Sequence, residues 1–339
     1  MIEEKGVKAV AVAPGDPAGI GYEITAQALA KMRDAFADEI VAVYGSAEIF
    51  HRAVSMFAPG LEVKTVGNIE EADKRGEIYV IDVMPEFDVG AFEPGVMAAS
   101  NAACAHRALM RIIEDAKRGF VGGICTGPIH KGAMRMAGVP EIGHTEILAK
   151  GFGAEHPMTL FITRELRIFF YSRHLSLREA IDALSVDGLY EFGRRMDAHI
   201  REIGFKNPRL AMAALNPHAS DGGQFGTEEA DILVPAAERL RQAGVDMTDP
   251  IGADSVFAQA AEGRFDAVLS LYHDQGHIAA KTYDFARTIS ATLGLPVLRT
   301  SVDHGTAFDI AWQGKAQSVS MVTALEALLR YGWKLAIRN

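Results

Sequence analysis

Short hydrophobic runs alternate with amphipathic stretches along most of the chain. The first run, 7–13, stops at Pro14-Gly15-Asp16-Pro17, and residues 23–35 then repeat their apolar positions at helical spacing. Similar strand-like runs cover 39–44, 77–83, 122–126, 158–163, 167–170, 209–215, 267–271 and 296–299. This alternation predicts an α/β protein with a largely parallel or mixed sheet covered by helices.

The length of the chain predicts two lobes. Its 339 residues exceed the size at which one hydrophobic core usually stops growing. No linker rich in Pro, Gly or Ser divides the sequence, so the lobes are expected to exchange strands. We predict a middle lobe over 126–250 and a discontinuous lobe formed by 1–125 plus 251–339.

The composition of the chain excludes several classes of binding partner. With 49% hydrophobic residues and no apolar run long enough for a bilayer, no membrane partner is expected. The net charge of -10 argues against nucleic acid, because phosphate-backbone binding needs clustered Lys and Arg. Cys104 and Cys125 are too few for a disulfide framework, and the amino terminus lacks the features of a secretory signal. We therefore expect a cytoplasmic protein whose charged ligand is small.

Four histidines lie in segments that resemble site loops. His174, His218 and His273 follow hydrophobic runs, and His144 lies in Gly143-His144-Thr145-Glu146. The carboxyl ends of strands are where α/β folds bind ligands, so the first three could converge. Neutral imidazoles bind zinc, cobalt and related divalent ions. The alternative is three structural, hydrogen-bonded histidines, because their spacing matches no compact zinc signature.

Glycine-rich segments allow two interpretations each. Residues 15–21 follow the first strand and open a helix, as a Rossmann phosphate turn does, but they lack the GxGxxG spacing, which favours a structural or active-site turn. Residues 220–229 either lead into a helix capped by Thr227 or let backbone approach a ligand closely. Lys281 and Arg299 are either solvated surface charges or a clamp for phosphate or carboxylate.

Six motifs taken together resemble the 4-hydroxythreonine-4-phosphate dehydrogenases of the vitamin B6 pathway and their catabolic relatives. They lie at 15–21, 126–131, 143–146, 215–219, 272–276 and 300–307. The resemblance covers nearly the whole chain. It implies a two-lobed α/β fold like that of isocitrate and isopropylmalate dehydrogenases, which bind nicotinamide cofactors without a Rossmann fingerprint.

The resemblance also implies roles for particular residues. It places one divalent metal (zinc, cobalt, magnesium or manganese) on three histidines, anionic substrate groups on a lysine and an arginine, and the adenosine side of NAD or NADP on a glycine loop. Ligands from both subunits of a homodimer are expected to share the active site. The implied positions are His174, His218 and His273 for the metal, His144, Thr145, Lys281, Ser290 and Arg299 for substrate, and His304, Gly305 and Thr306 for the cofactor.

The implied reaction is oxidation of the substrate's C3 hydroxyl by NAD or NADP. A metal at the hydroxyl oxygen would stabilise developing negative charge, and the resulting 3-oxo acid could lose carbon dioxide. Asp254 and Asp274 are the catalytic candidates for orienting a ligand histidine or a water.

Four positions depart from the biosynthetic pattern. Ser290 stands where those enzymes usually carry Asn, His277 lies in an altered segment before Lys281, Tyr22 replaces a usual proline and Trp312 a usual glycine. The surroundings of Lys281 are more similar to the catabolic branch, which oxidises 4-phospho-D-threonate or 4-phospho-D-erythronate. Two alternatives remain, a dehydrogenase for the cis-dihydrodiol dicarboxylate made from terephthalate and a noncatalytic anion-binding protein of the same fold.

Overall fold

The computed structural model describes residues 8–336, and for 333–336 it describes the backbone only. Val7, the predicted start of the first strand, lies outside the described residues, as do residues 1–6, on which the prediction about a secretory signal partly rests. The chain forms two compact units. The first contains the described residues up to Pro157 and from Gly294, and the second is Met158–Leu293.

The first unit contains six parallel strands. Their spatial order is β3-β4-β2-β1-β5-β12, and every neighbouring pair is parallel. Consecutive residues of a strand face opposite sides of the sheet, so Ile124 packs toward the helix Ala99–Lys117 while the thiol of Cys125 contacts Met321 of the helix Val319–Ala336. The strands are β1 Ala9–Ala13, β2 Val41–Gly45, β3 Lys64–Val66, β4 Ile78–Asp82, β5 Val121–Thr126 and β12 Leu298–Val302.

Helices cover this sheet. Ser46 caps α2 by accepting a hydrogen bond from the Ile49 N–H, as expected for a serine at a helix start. The helices of the first unit are α1 Gly21–Lys31, α2 Ala47–Phe57, α3 Ala99–Lys117, α4 Lys131–Met136, α5 His144–Phe152 and α11 Val319–Ala336, with short 3₁₀ turns at Arg33–Phe36 and Ile69–Glu71.

The second unit contains a mixed sheet. Its order is β11-β6-β7-β10-β8-β9, in which β11, β6 and β7 pair antiparallel while β7, β10, β8 and β9 pair parallel. The strands are β6 Met158–Thr163, β7 Leu166–Phe170, β8 Leu210–Ala213, β9 Met247–Ile251, β10 Ala267–Ser270 and β11 Thr288–Leu293.

Five α-helices accompany the sheet of the second unit in the described part of the chain. Ser176 and Glu179 form a reciprocal capping box at the start of the first of them. The helices are α6 Leu177–Asp182, α7 Val186–Glu202, α8 Val234–Gln242, α9 Ala253–Ala261 and α10 His273–Asp284, with a 3₁₀ segment at Pro217–Asp221 and a π-helical turn at Glu229–Leu233 that leads into α8.

The predicted α/β class is confirmed, and each of the nine strand-like runs overlaps a strand. The predicted helix over 23–35 is α1 followed by a 3₁₀ turn. The strands β3, β9 and β11 did not stand out in the sequence. The first has only three residues, the second contains Pro250, and the third alternates apolar residues with Thr288, Ser290 and Thr292.

The boundaries between the units lie later in the sequence than the predicted ones at 125 and 250. The reason for the first difference is that α4 and α5, which follow β5, pack on α3 and so stay in the first unit. The reason for the second is that β10 and β11 complete the sheet of the second unit. Within residues 8–336, no helix combines the length and the hydropathy needed to cross a bilayer.

Three loops meet at the carboxyl ends of β1, β5 and β12. The Asp16 N–H donates to the Pro128 carbonyl at 3.0 Å, and the Ile20 N–H donates to the Thr306 carbonyl at 3.0 Å. A side chain on Gly15, whose φ is +90°, would lie 2.1 Å from the Pro128 carbonyl oxygen, and one on Gly19 would lie 2.9 Å from Thr306 Cβ. The glycines of this motif are therefore required by the close approach of the three loops.

Asp16 is a buried acid in this junction. Its side chain is 1% exposed, and Oδ1 accepts a hydrogen bond from the Ala18 N–H at 3.0 Å. The other carboxylate oxygen, Oδ2, is enclosed and has no hydrogen-bond partner among the described residues. Burial raises the pKa of Asp16 from 3.8 to about 6, although the Ala18 N–H opposes the shift.

This acid predicts a pH-dependent stability. Because its folded-state pKa is raised, Asp16 contributes stability below about pH 4 that is lost as the pH rises through about 6. An Asp16→Asn variant avoids the buried charge, so its free energy of unfolding should rise relative to wild type by about 2–3 kcal/mol between pH 4 and 8. Urea unfolding across that range measures the difference. The exposed control Asp34→Asn should change stability by less than about 0.5 kcal/mol, and a flat difference for Asp16→Asn would contradict the account.

Candidate active site

Three histidines lie beyond the carboxyl ends of adjacent parallel strands in the second unit. His174 follows β7, His273 begins α10 directly after β10, and His218 follows β8. Since β7, β10 and β8 are neighbours in the sheet, the three loops leave the same edge. The strand-end placement predicted from the sequence is confirmed. All three side chains are exposed. Among residues 8–336 of a single chain, no group of three His, Cys, Asp or Glu side chains lies close enough together to hold a metal ion.

The ring of His273 has a defined orientation. Its Nδ1 lies 2.6 Å from Oδ1 of Asp274. A carboxylate can only accept, so the neutral ring carries its proton on Nδ1 and leaves the Nε2 lone pair for a ligand. Asp274 thus contacts the histidine next to it in sequence, and its role in orienting a metal ligand stays a prediction.

His218 lies in a strained loop. Its φ is +53°, and the next three residues, Ala219 to Asp221, also have positive φ although none is glycine. Left-handed backbone at non-glycine residues is costly and persists only where neighbouring contacts enforce it, a situation frequent at functional sites. The Ser220 hydroxyl donates to the Gly226 carbonyl and closes the loop on itself.

Glu229 anchors the start of that loop. This buried carboxylate accepts hydrogen bonds from the N–H groups of Leu215 and Asn216 at 2.9 and 2.7 Å, and from the Asn216 side chain at 2.8 Å. No pattern in the sequence singles out Glu229. The cap predicted at Thr227 is also corrected, because the π-helical turn Glu229–Leu233 has Glu228 at its N-cap position, without a side-chain cap hydrogen bond.

The other predicted residues of the second unit lie on three elements. Asp254 is in the first turn of α9 and lines a cavity of about 600 Å³ together with Gln275 of α10. Lys281 is in the last turn of α10, where its Nζ lies 5.7 Å from the centre of the Phe285 ring. Ser290 lies in β11 directly opposite Phe161 of β6.

Arg299 is a buried cation in the first unit. Its guanidinium donates from Nε and Nη2 to the Thr126 hydroxyl at 3.1 and 2.8 Å, and that hydroxyl also bonds Ser301 at 3.0 Å. Burial lowers the pKa of Arg299 to about 10, so the group remains charged at neutral pH. Arg299 is therefore not the solvated surface charge of the alternative interpretation.

His144 and Thr145 form the first turn of α5 in the same unit. The Nε2 atom of His144 is enclosed and has no hydrogen-bond partner among the described residues. Burial, with the positive charge of Arg299 as a second cause, lowers the pKa of His144 well below its usual value. A neutral imidazole beside a buried guanidinium can bind an anionic group that also offers a hydroxyl.

The predicted cofactor loop belongs to the three-loop junction. Thr306 is buried against Gly19, whereas Gly305 is exposed, and His304 Nδ1 lies 3.0 Å from the Gly305 carbonyl. The N–H groups of Asp16, Ala18, Gly19 and Ile20 are all used in hydrogen bonds within this junction. Residues 15–21 therefore form a structural turn, which is the interpretation that their spacing favours. They do not form a phosphate cradle.

Two departures from the biosynthetic pattern are core residues. Tyr22 is 1% exposed and its hydroxyl accepts from the Ser46 N–H at 3.1 Å. Trp312 packs against Phe57 and Phe92 and donates from Nε1 to the Pro17 carbonyl at 2.9 Å. Its φ of +62° explains why glycine would suit that position.

The chain is similar to known proteins over most of its length. A sequence model of the family described as "Pyridoxal phosphate biosynthetic protein PdxA" matches residues 37–328. A protein of Symbiobacterium thermophilum named "Putative D-threonate 4-phosphate dehydrogenase" is 43% identical over 328 residues, 95% of this chain and 96% of its own. A protein of Fusobacterium nucleatum with the same name is 41% identical over 323 residues, with the same two coverages of 95% and 96%.

Solved structures of similar proteins point to the same family. The 4-hydroxythreonine-4-phosphate dehydrogenase of Klebsiella pneumoniae is 38% identical with a TM-score of 0.86, over 97% of this chain and 98% of that one. A terephthalate 1,2-cis-dihydrodiol dehydrogenase of Burkholderia xenovorans is 28% identical with a TM-score of 0.65, over 96% and 98%. The prediction of an oxidoreductase that acts on a CH–OH group is confirmed by these relatives. The chain therefore belongs to the PdxA family.

Proposed function

We propose that the chain is a metal-dependent, NAD(P)-linked dehydrogenase that oxidises the C3 hydroxyl of a small phosphorylated hydroxy acid, followed by decarboxylation. The substrate is of the D-threonate 4-phosphate type or the 4-hydroxythreonine 4-phosphate type, and the names of the relatives above 40% identity favour the former. The observation that carries the proposal is the position of His174, His218 and His273 beyond three adjacent strands, in a chain of this family.

The donor set fits a divalent metal. Imidazole nitrogens suit zinc and cobalt better than magnesium or manganese, which prefer oxygen ligands. His273 presents Nε2 because Asp274 occupies Nδ1, and Glu229 holds the backbone that precedes His218. A metal held there would supply Lewis-acid stabilisation for negative charge on the substrate oxygen. Asp254 is the proposed partner of a ligand or water.

Anion binding is assigned to charged and neutral donors. Arg299 is kept rigid by Thr126 and remains charged, so it binds a phosphate or carboxylate without reorganising. Lys281 is proposed to bind a second anionic group and Ser290 a substrate hydroxyl. His144 stays neutral, and with Thr145 it supplies hydrogen bonds without adding charge.

The redox step needs a hydride acceptor. Oxidation removes a hydride from C3 and a proton from its hydroxyl, and NAD or NADP supplies the acceptor. We assign the adenosine side of that cofactor to His304, Gly305 and Thr306, where Gly305 is exposed at the end of β12. The oxidised product is a β-keto acid, which can release carbon dioxide.

A homodimer with a shared active site completes the proposal. Exposed apolar side chains flank two of the metal-ligand candidates, with Leu175 beside His174 and Phe225 beside His218. Both are about half exposed, at 48% and 49%. Such residues at a polar site indicate a surface that a second copy covers, and side chains of that copy would complete the metal site.

A second candidate is oxidation of a cis-dihydrodiol dicarboxylate. The likeness to the terephthalate dihydrodiol dehydrogenase favours it. A phosphorylated hydroxy acid accounts better for two cationic side chains in different surroundings. Arg299 is buried in the first unit, whereas Lys281 lies in the last turn of α10.

A substrate panel tests the proposal. Purified protein is assayed for NAD and NADP reduction with 4-phospho-D-threonate, 4-phospho-D-erythronate, 4-hydroxythreonine 4-phosphate and the terephthalate dihydrodiol. Each assay is run after chelation and again after zinc or cobalt is restored. We expect metal-dependent reduction with a phosphorylated acid. Bound metal without reduction of either cofactor by any substrate would instead support a noncatalytic anion-binding protein.

His218→Ala should lose metal and activity together. Removing one imidazole leaves two predicted ligands, so cobalt affinity and kcat/KM should each fall by more than about 100-fold. Metal analysis and cofactor reduction measure both. His51→Ala, which removes an exposed histidine bonded to Thr65, is the matched control and should retain both properties. Full activity of metal-stripped His218→Ala would overturn the ligand assignment.

Thr126→Val should weaken substrate binding. The change keeps the side-chain shape but removes the oxygen that fixes Arg299, and hydrogen bonds to a charged group contribute about 1.5–3 kcal/mol. We expect KM for the phosphorylated acid to rise about 10-fold or more with the metal content unchanged. Thr126→Ser keeps the hydroxyl and should stay close to wild type. A folded Thr126→Val with wild-type KM would rule out this support.

A further inference from the structure

His277 stacks on His273. Both lie on α10, one turn apart, where side chains four residues apart share a face of the helix. Their ring centres are 3.9 Å apart and their planes differ by only 12°. His277 thus covers one face of the imidazole that is proposed to bind the metal.

The ring of His277 is held by three other contacts. Phe161 of β6 and Phe170 of β7 each lie 4.4 Å from it, centre to centre, at angles of 65° and 42°. Its Nδ1 lies 2.9 Å from the His273 carbonyl oxygen. A carbonyl only accepts, so Nδ1 carries a proton and donates it there. The position of His277 is therefore determined by strands as well as by its own helix.

This geometry suits orientation and not ligation. Imidazole lone pairs lie in the ring plane, so two nearly parallel rings cannot direct them at one ion with good geometry. In addition, Nδ1 of His277 is committed to the backbone. Asp274 restrains the His273 ring at Nδ1 and His277 restrains it across one face, so the two contacts fix different rotations of the same ring.

The contacts continue to a substrate-binding candidate. Phe161 pairs directly with Ser290 across β6 and β11, and directly opposed residues project from the same face of a sheet. Ser290, Phe161, His277 and His273 form a continuous row within the second unit, which we call the His277 row.

We propose that His277 is a positioning residue that fixes the plane of His273 through ring stacking, with Phe161 linking it to Ser290. The inference rests on the proposed function, in which His273 binds the metal.

Three variants separate the two contacts that His277 makes with His273. His277→Ala removes both, His277→Phe keeps an aromatic ring without the donor, and His277→Gln keeps a donor without the ring. Cobalt affinity, the visible absorption spectrum of the bound cobalt, and kcat and KM for 4-phospho-D-threonate are measured, with thermal unfolding as the check on folding. Thr282→Ala, an exposed position on α10, is the control.

We expect His277→Ala to weaken cobalt binding about 10- to 100-fold and to alter the cobalt spectrum, as loss of a residue that supports a ligand does. The loss should appear in kcat more than in KM, because the anion-binding groups are unchanged. His277→Phe should restore most of the affinity and the spectrum, whereas His277→Gln should not.

Two results would overturn the proposal. One is a folded His277→Ala with the cobalt affinity and spectrum of wild type, while His218→Ala loses the metal. The other is rescue by His277→Gln but not by His277→Phe, which would assign the effect to the hydrogen bond. Failure of the wild-type protein to bind cobalt would be a failure of the proposed function, and it is distinguished by that first measurement.

Discussion

Parallel pairing of β7 with β10 and of β10 with β8 determines the geometry of the candidate site. Parallel strands end at the same edge of a sheet, so the loops that carry His174, His273 and His218 leave the second unit side by side. The rest of the arrangement refines that placement. Asp274 selects the nitrogen that His273 offers, His277 covers its face, and Glu229 holds the backbone before the strained turn at His218. Each of these contacts depends on strands that first bring the loops to one edge.

The first unit contains buried charged residues that hold its loops or are expected to bind a ligand. Asp16 is buried in the turn after β1 and Glu23 in α1, and the guanidinium of Arg299 is buried against Thr126, the last residue of β5. Glu23 accepts backbone hydrogen bonds from Trp312 and Ala316 and so fixes the segment after the predicted cofactor loop. Arg299 keeps its charge against hydroxyl groups, which favours an anionic ligand. Burying each of these charged groups costs free energy, and the first unit buries them where ligands are expected to bind.

Sequence periodicity predicted the strands whose burial produces continuous apolar runs, and it failed where buried polar groups satisfy one another. Thr288 is an example, because it is 2% exposed but bonds to Thr163 across the sheet at 2.9 Å. The three strand-end histidines were predictable from pattern, and the family resemblance made them a specific set. Glu229 and Thr126 were missed, since their roles depend on backbone groups and side chains brought together only by folding. The stacking of His277 on His273 follows helix spacing, yet Phe161 and Phe170 come from strands more than 100 residues earlier in the chain.

In the proposed reaction the metal-loaded protein removes a hydride from C3 of a phosphorylated hydroxy acid. Transfer of deuterium from C3 is the direct test of that step. The protein is supplied with 4-phospho-D-threonate deuterated at C3 and oxidised cofactor, and the label is followed by mass spectrometry of the reduced nicotinamide and of the carbon product. We expect the label on the nicotinamide only when metal is present, with loss of carbon dioxide from the product. Metal-independent transfer, or cofactor reduction that leaves the C3 deuterium in the carbon product, would contradict the proposed reaction.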